Sequence, residues 1–365
     1  MSRKSKQQGI DARNRDYLAY DQVEKAQDYR FAEATGEEAF DDDYRIATCD
    51  LGRFLHGDAG DRRAFAAELG GALHDIGFAI LDGHGVEGAL YERCAAEVER
   101  LFTTHDDAAK GCFRAARHGS VNQGWFPLRE TSDIHPDLVE AWVFCRRAFL
   151  VPGGAANAED LARFWPDPAH ERTFRELVLA HERLIVPVMQ SLLLGLGCDP
   201  HLYDRRLTAT NFGLRLNYYP PLRDADVRSG AGRLLGHEDV DLFTLLPAPR
   251  GEGLQVLNRR NFRWIRLDAP AGTIVLNTGD YMQRISNDRL PSTTHRVSQP
   301  RDPAARTHAR VSMPLNVYLR ENETLEVLPG LGTPKYRPVR AIEFHTSTTA
   351  KYYGDDYAVA DQHDA

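Results

Sequence analysis

Gly236-His237-Glu238-Asp239 is the stretch on which the reading of this chain turns, because of what answers it downstream. His295 follows in Pro291-Ser-Thr-Thr-His295-Arg-Val297, and Arg310-Val311-Ser312 follows that. Two imidazoles and one carboxylate are the donor set of a non-haem iron(II) site, which covers one face of an octahedron and leaves the other open. His237 and Asp239 are two apart, so on a strand both side chains leave the same face and can reach one ion. Arg310 and Ser312 are also two apart, which sets a guanidinium fork beside a hydroxyl, a receptor shaped for a carboxylate. A lone H-x-D arises by chance in any large protein, so the weight rests on the order and the context.

That context is β-like. Short apolar runs cover Leu214 to Tyr219, Leu242 to Leu246, Leu254 to Leu257, Phe262 to Leu267, Thr273 to Asn277 and Arg310 to Tyr318. Turn signals separate them, including Pro220-Pro221, Pro249-Arg-Gly251 and Gly279-Asp280, which favours a sandwich or barrel over a parallel α/β sheet. Asn217-Tyr-Tyr219 closes the run before His237, where a tyrosine hydroxyl could join Arg310 and Ser312 around one carboxylate.

Upstream, Phe65, Leu69, Ala72, Leu73 and Ile76 recur at helical spacing, with Asp58 or Asp61 as N-cap and Gly77 as the stop. Phe78 to Leu81 reads as a short buried strand, and a second helix carries Val86, Leu90, Cys94, Val98, Leu101 and Phe102. His84, between two glycines, reads as a turn residue bonded to backbone rather than a ligand. Residues 155 to 205 read as helical, with Leu177, His181, Leu184, Val188, Leu192 and Leu196 inward. The expected organisation is an extension over 1–43, loosely packed or a lid; a mostly helical region over 44–210; a β core over 211–345; and an acidic tail over 346–365.

The chain has 365 residues, 42% hydrophobic and 27% charged, with a net charge of −8. That balance argues against a general nucleic-acid or anionic-membrane binder, which concentrates basic surface. The longest apolar stretch, Leu184 to Gly197, is too short to span a bilayer. Five scattered cysteines without a C-x-x-C pair suit reduced thiols, and no apolar leader is visible at the N-terminus, so a cytoplasmic location is expected.

Gly236-His-Glu-Asp239, Phe243-Thr-Leu-Leu246, Gly253-Leu-Gln-Val256, Asn277-Thr-Gly-Asp280, His295-Arg-Val297 and Arg310-Val-Ser312, after Asn217-Tyr-Tyr219-Pro, occur in an order that resembles the isopenicillin N synthase-like branch of the iron(II)/2-oxoglutarate dioxygenases. Gly77-Phe78 with His84-Gly85, and Gln123-Gly-Trp-Phe-Pro127, agree more loosely. The resemblance implies an all-β core, a double-stranded β-helix or jelly roll, with flanking helices. It implies iron(II), 2-oxoglutarate and O2, with ascorbate as an accessory reductant, and a small-molecule substrate that is hydroxylated, desaturated or cyclised. His237, Asp239 and His295 match the iron ligands. Arg310 and Ser312 match the residues that take the distal carboxylate of 2-oxoglutarate, and Tyr219 and Asn217 match their neighbours.

Two departures stand out. Glu238 and Asp241 add carboxylates to the motif: alternation places Asp241 beside Asp239, as a structural group or a substrate contact, and turns Glu238 away. The interval between His295 and Arg310 holds an extra turn at Pro300 to Thr307, which makes Arg306 an alternative to Arg310. Candidate substrate contacts flank the motifs: Phe212, Phe126, Trp125, Phe144, Arg146 and Arg284. Alternatives are an oxidase of the same fold that uses no 2-oxo acid, and a non-catalytic jelly-roll binding protein; oligomeric state is open.

Overall fold

Alternation of side chains in the second half of the chain builds two facing sheets, and the first half covers one of them with helices. The computed structural model describes residues 39–118, 121–128, 137–229 and 232–353. Its strands are β1 (Thr48–Asp50), β2 (Phe78–Asp82), β3 (Ala116–His118), β4 (Val121–Phe126), β5 (Glu140–Cys145), β6 (Asn211–Tyr219) and β7 (Leu234–His237), then β8 (Phe243–Pro247), β9 (Leu254–Leu257), β10 (Trp264–Arg266), β11 (Ile274–Thr278), β12 (His295–Val297), β13 (Arg310–Ser312) and β14 (Leu315–Tyr318). The large sheet runs β1-β2-β11-β8-β14-β6-β5-β4-β3, with β13 also paired to β6; the small sheet runs β10-β9-β12-β7. This is the expected β core with flanking helices.

The large sheet separates two environments by strict period-two alternation. On β6, Phe212, Leu214 and Leu216 join the main core against the helices. Gly213, Arg215, Asn217 and Tyr219 line a cavity on the other face, between the sheets. Helix α1 (Ala59–Ile76) begins at Asp58, whose carboxylate accepts from the Gly60 and Asp61 amides while Asp61 returns a bond to the Asp58 amide. It ends at Gly77, whose φ of 73° is left-handed and where a Cβ would also collide with the Pro291 carbonyl. Helices α1 and α2 (Gly88–Thr104) pack on α3 (Ala169–Gly195). By length and composition α3 is apolar enough to cross a membrane, yet 56% of that window is buried within the fold. His84 behaves as the turn reading requires: Nε2 meets the Gly272 carbonyl and Nδ1 accepts from the Val86 amide.

Four expectations need amendment. Residues 44–210 are helix-rich but also supply β1 to β5, all in the large sheet. The run Arg310 to Tyr318 is two strands, broken where Met313-Pro314 shifts β14 from β13. Of the 1–43 extension, residues 1–38 lie outside the described residues, so the lid reading falls there. Residues 39–43 dock on the small sheet: Phe40 bridges to Trp264, and Asp41 accepts from Asn258 and Asn261. The segment 346–365 is not tail throughout, because helix α4 (Ala341–Tyr353) carries it back and Thr349 lines the cavity; residues 354–365 lie outside the described residues.

Candidate active site

β7 and β12 pair with His237 directly opposite His295, which sets the two imidazole centroids 4.4 Å apart. Asp239 comes to them from outside the strand, since β7 ends at His237. Its position is fixed by backbone instead: the amides of Asp280 and Tyr281 donate to the carbonyls of Asp239 and Asp241. Gly279 permits that approach, because a Cβ there would fall 2.7 Å from the Asp239 carbonyl oxygen and closer still to Asp241. His237 and Asp239 thus converge as strand alternation suggests, but through backbone bonds to the 279–281 turn and not through a shared strand. Alternation fails for Glu238, which is buried at the cavity edge and accepts from the Thr294 hydroxyl rather than turning away.

One donor atom from each of His237, Asp239 and His295 falls within 4.8 Å of the others. Asp239 Oδ1 lies 3.6 Å from His237 Nε2 and 3.9 Å from His295 Nε2. Asp239 Oδ2 is occupied elsewhere, accepting from Thr244 Oγ1 (2.6 Å) and Asn277 Nδ2 (2.8 Å), so Oδ1 is the oxygen presented. His295 Nδ1 meets the Thr293 carbonyl at 3.2 Å, which puts the proton on Nδ1 and leaves Nε2 with a lone pair. Burial raises the Asp239 pKa, but the His295 and His237 imidazoles and the Thr244 and Asn277 bonds outweigh it and hold the carboxyl below its ordinary value. Asp241 goes the other way: burial, then the neighbouring Asp239 charge, push it well up. The two neighbouring carboxyls are thus pushed in opposite directions.

The other end of the cavity is built by β13 on β6, where Arg310 pairs with Tyr219 and Ser312 with Asn217. Asn217 Nδ2 donates to Ser312 Oγ (3.1 Å), the Tyr219 hydroxyl is 3.5 Å from the same oxygen, and the Arg310 guanidinium lies over the Tyr219 ring. Arg310 is buried, yet its Nε and Nη1 have no hydrogen-bond partner. Burial lowers its pKa, but a guanidinium remains charged. Arg306 is no substitute: its Nε donates to the Pro300 carbonyl inside the extra turn.

Sequence reasoning missed Arg233. It is fully buried, its Nε and Nη2 are also unpartnered, and burial together with the Arg310 charge pushes its pKa down to about 10. Two buried guanidiniums that feel each other, each with unpartnered nitrogens, favour an anion at this end of the fold. Nothing in a single Arg in Gly232-Arg-Leu marks it beforehand.

Of the flanking substrate candidates, Phe126 lines the cavity and the other five do not. Phe212, Phe144 and Trp125 face the helices, Phe144 stacking on Trp165 at 3.7 Å between centroids. Arg146 is tied to Glu182 and the Thr210 carbonyl, and Arg284 donates to the Arg337 carbonyl between the Tyr336 and Phe344 rings. Asp241 does not line the cavity either; it bonds Thr244 and Asn316 from beneath, the structural alternative. The cavity of about 200 Å³ instead has Val121, Val143, Arg215, Tyr318 and, from α4, His345 and Thr349 in its wall.

Comparison with known proteins gives a consistent result. Residues 210–317 match the 2OG-Fe(II) oxygenase superfamily, and residues 46–168 match the N-terminal region of non-haem dioxygenases in morphine synthesis. A 2-oxoglutarate-Fe(II) type oxidoreductase, ppzC, of Metarhizium majus is 29% identical over 333 residues, covering 82% of this chain and 85% of that one. A 2OG-Fe(II) oxygenase family protein from Caulobacter crescentus is similar in structure, with a TM-score of 0.69 and 26% identity over 86% of this chain and 99% of its own. A Neurospora crassa protein in complex with alpha-KG and thymine superposes with a TM-score of 0.72 at 22% identity, covering 87% and 99% of the two chains, a likeness of fold.

Proposed function

As a member of the isopenicillin N synthase-like 2-oxoglutarate–iron(II) oxygenases, this chain is a non-haem iron(II), 2-oxoglutarate-dependent dioxygenase, and we propose that His237, Asp239 and His295 hold its iron while Arg310, Ser312, Tyr219 and Asn217 receive the distal carboxylate of 2-oxoglutarate. The observation that carries the residue assignment is Arg310. Its two orphaned, buried nitrogens lie in the wall of the same cavity as the three metal-type donors. An unsatisfied buried donor costs about 1–3 kcal/mol, more for a charged group, and a carboxylate ligand removes that cost.

When bound, iron(II) and 2-oxoglutarate supply the oxidising chemistry, with O2 consumed and succinate and CO2 released. The chain's own part is placement. Thr244 and Asn277 fix the Asp239 carboxylate, Thr293 fixes the His295 tautomer, and Arg310 with Ser312 fixes the co-substrate's far end. The primary substrate, in this reading, is a small molecule hydroxylated, desaturated or ring-closed in the space beside Phe126 and Tyr318. Five free cysteines, four of them buried, support a reducing compartment such as the cytoplasm.

The test is succinate. Protein reconstituted with Fe(II) under air is expected to convert 2-oxoglutarate to succinate slowly even without primary substrate. His295→Ala is expected to abolish this while leaving the circular dichroism spectrum unchanged. Undiminished succinate from His295→Ala would contradict the ligand assignment.

A further inference from the structure

Arg215 is the second guanidinium in the cavity wall, and the co-substrate reading leaves it unused. It stands on the cavity face of β6, two residues before Asn217. Its Nε donates to Asn217 Oδ1 at 2.7 Å, and its Cζ lies 5.6 Å from the centre of the Phe126 ring. Among the described residues no carboxylate pairs with it and no hydrogen bond reaches its two terminal nitrogens. Asn217 thus divides the cavity. Its amide nitrogen serves Ser312 on the Arg310 side, and its oxygen orients Arg215 on the other.

The surroundings of Arg215 are apolar: Val121, Phe126 and Val143 form one cluster, with Tyr318 packed against it. Gly213, the next inward position on β6, is about space rather than backbone freedom. A Cβ there would come within 3.4 Å of the Tyr318 ring and 3.5 Å of Val121 Cγ1, so any side chain would fill the slot between them. A half-buried cation beside an apolar slot seeks an anion with an apolar body. The charge of that anion is bounded too. The cavity wall holds Asp137, Glu238 and Asp239 and, among the described residues, no lysine, which disfavours a phosphate dianion and suits one carboxylate.

We propose that the primary substrate is a small organic acid whose carboxylate is held by Arg215 and whose apolar body lies along Gly213 between Val121, Phe126 and Tyr318. The proposal rests on the preceding reading of the Arg310 end as the 2-oxoglutarate site. Arg215 acts here as a binding and specificity residue for the substrate.

The experiment uses the full chain loaded with Mn(II) and 2-oxoglutarate, and titrates phenylacetate, 3-phenylpropanoate and hexanoate against their neutral amides by ligand-observed NMR. The unmodified protein is expected to bind at least one acid about tenfold or more tightly than its amide, the scale of a charge-assisted hydrogen bond. Arg215→Met, of similar volume, is expected to erase that preference while 2-oxoglutarate affinity stays within about threefold. Gly213→Val is expected to weaken the phenyl acids. Equal binding of acid and amide, no binding of any acid, or an unchanged preference in Arg215→Met would overturn the proposal. A loss in Arg215→Met that falls on 2-oxoglutarate instead would overturn it as well. Failure of the unmodified Mn(II) protein to bind 2-oxoglutarate at all would sink the underlying reading, a distinct result measured in the same tubes.

Discussion

Thr244 has one hydroxyl proton and two carboxylates within reach, Asp239 Oδ2 at 2.6 Å and Asp241 Oδ2 at 2.8 Å. Burial and the charged neighbour push the Asp241 pKa up while Asp239 is held down, so the shorter bond to Asp239 is the one that takes that proton. Thr244→Val keeps the shape and removes the bond, so metal affinity should fall about 10- to 100-fold with the fold intact. Metal titration of the variant, unchanged from the parent, would refute this role. At the other end, Arg310→Lys keeps a charge and loses the planar fork. It should weaken 2-oxoglutarate binding about ten- to a hundredfold, read by calorimetry on the Mn(II) protein. At this scale the sequence was legible where spacing encodes chemistry. H-x-D, the distant histidine and Arg-x-Ser are brought together as their order suggests. Thr244, Asn277 and Arg233 were not assigned roles, because their parts depend on which side chains tertiary packing sets beside them.

Among elements, the decisive fact is parity. Phe126 and Phe144 were equally plausible from the sequence, each flanking a recognised motif. Register puts Val143 opposite Arg215 and Phe144 opposite Leu214, so Val143 shares the cavity face and Phe144 the helix face. A shift of one residue decides between ligand contact and core, and no single-sequence pattern fixes it in strands buried on both sides. Phe144→Ala is accordingly expected to cost about 3–5 kcal/mol of stability, through the lost stack on Trp165 and Trp142, with little change in substrate preference once folded. Phe126→Ala should do the reverse, altering substrate binding more than the denaturation midpoint. Chemical denaturation of both, with the larger loss in Phe126→Ala, would show the faces to be exchanged. The helices were more legible than β4 and β5, since their apolar spacing and the Asp58 and Gly77 boundaries are local signals.

At the scale of the whole molecule, buried histidines tie stability to pH. His181 on α3 is fully buried beside the Tyr91 hydroxyl, and burial pushes its pKa down to about 3; burial lowers His84 and His170 as well. Below about pH 6.5 the unfolded chain takes up protons that these folded histidines refuse, so stability must fall as pH drops from there towards 3. His181 alone contributes up to about 1.4 kcal/mol per pH unit in that window. Melting temperatures from pH 7.5 to 5 should decline less steeply in His181→Gln than in the parent, and equal slopes would exclude His181 as a cause.

The proposed site is a single cavity with a metal at His237, Asp239 and His295 and an oxo-dicarboxylate reaching from it to Arg310. The decisive measurement is calorimetric titration of 2-oxoglutarate with and without Mn(II). One site per chain is expected, dependent on the metal and lost in both His237→Ala and Arg310→Met, each of which remains folded. Binding of equal strength without metal, or undiminished in either variant, would contradict it.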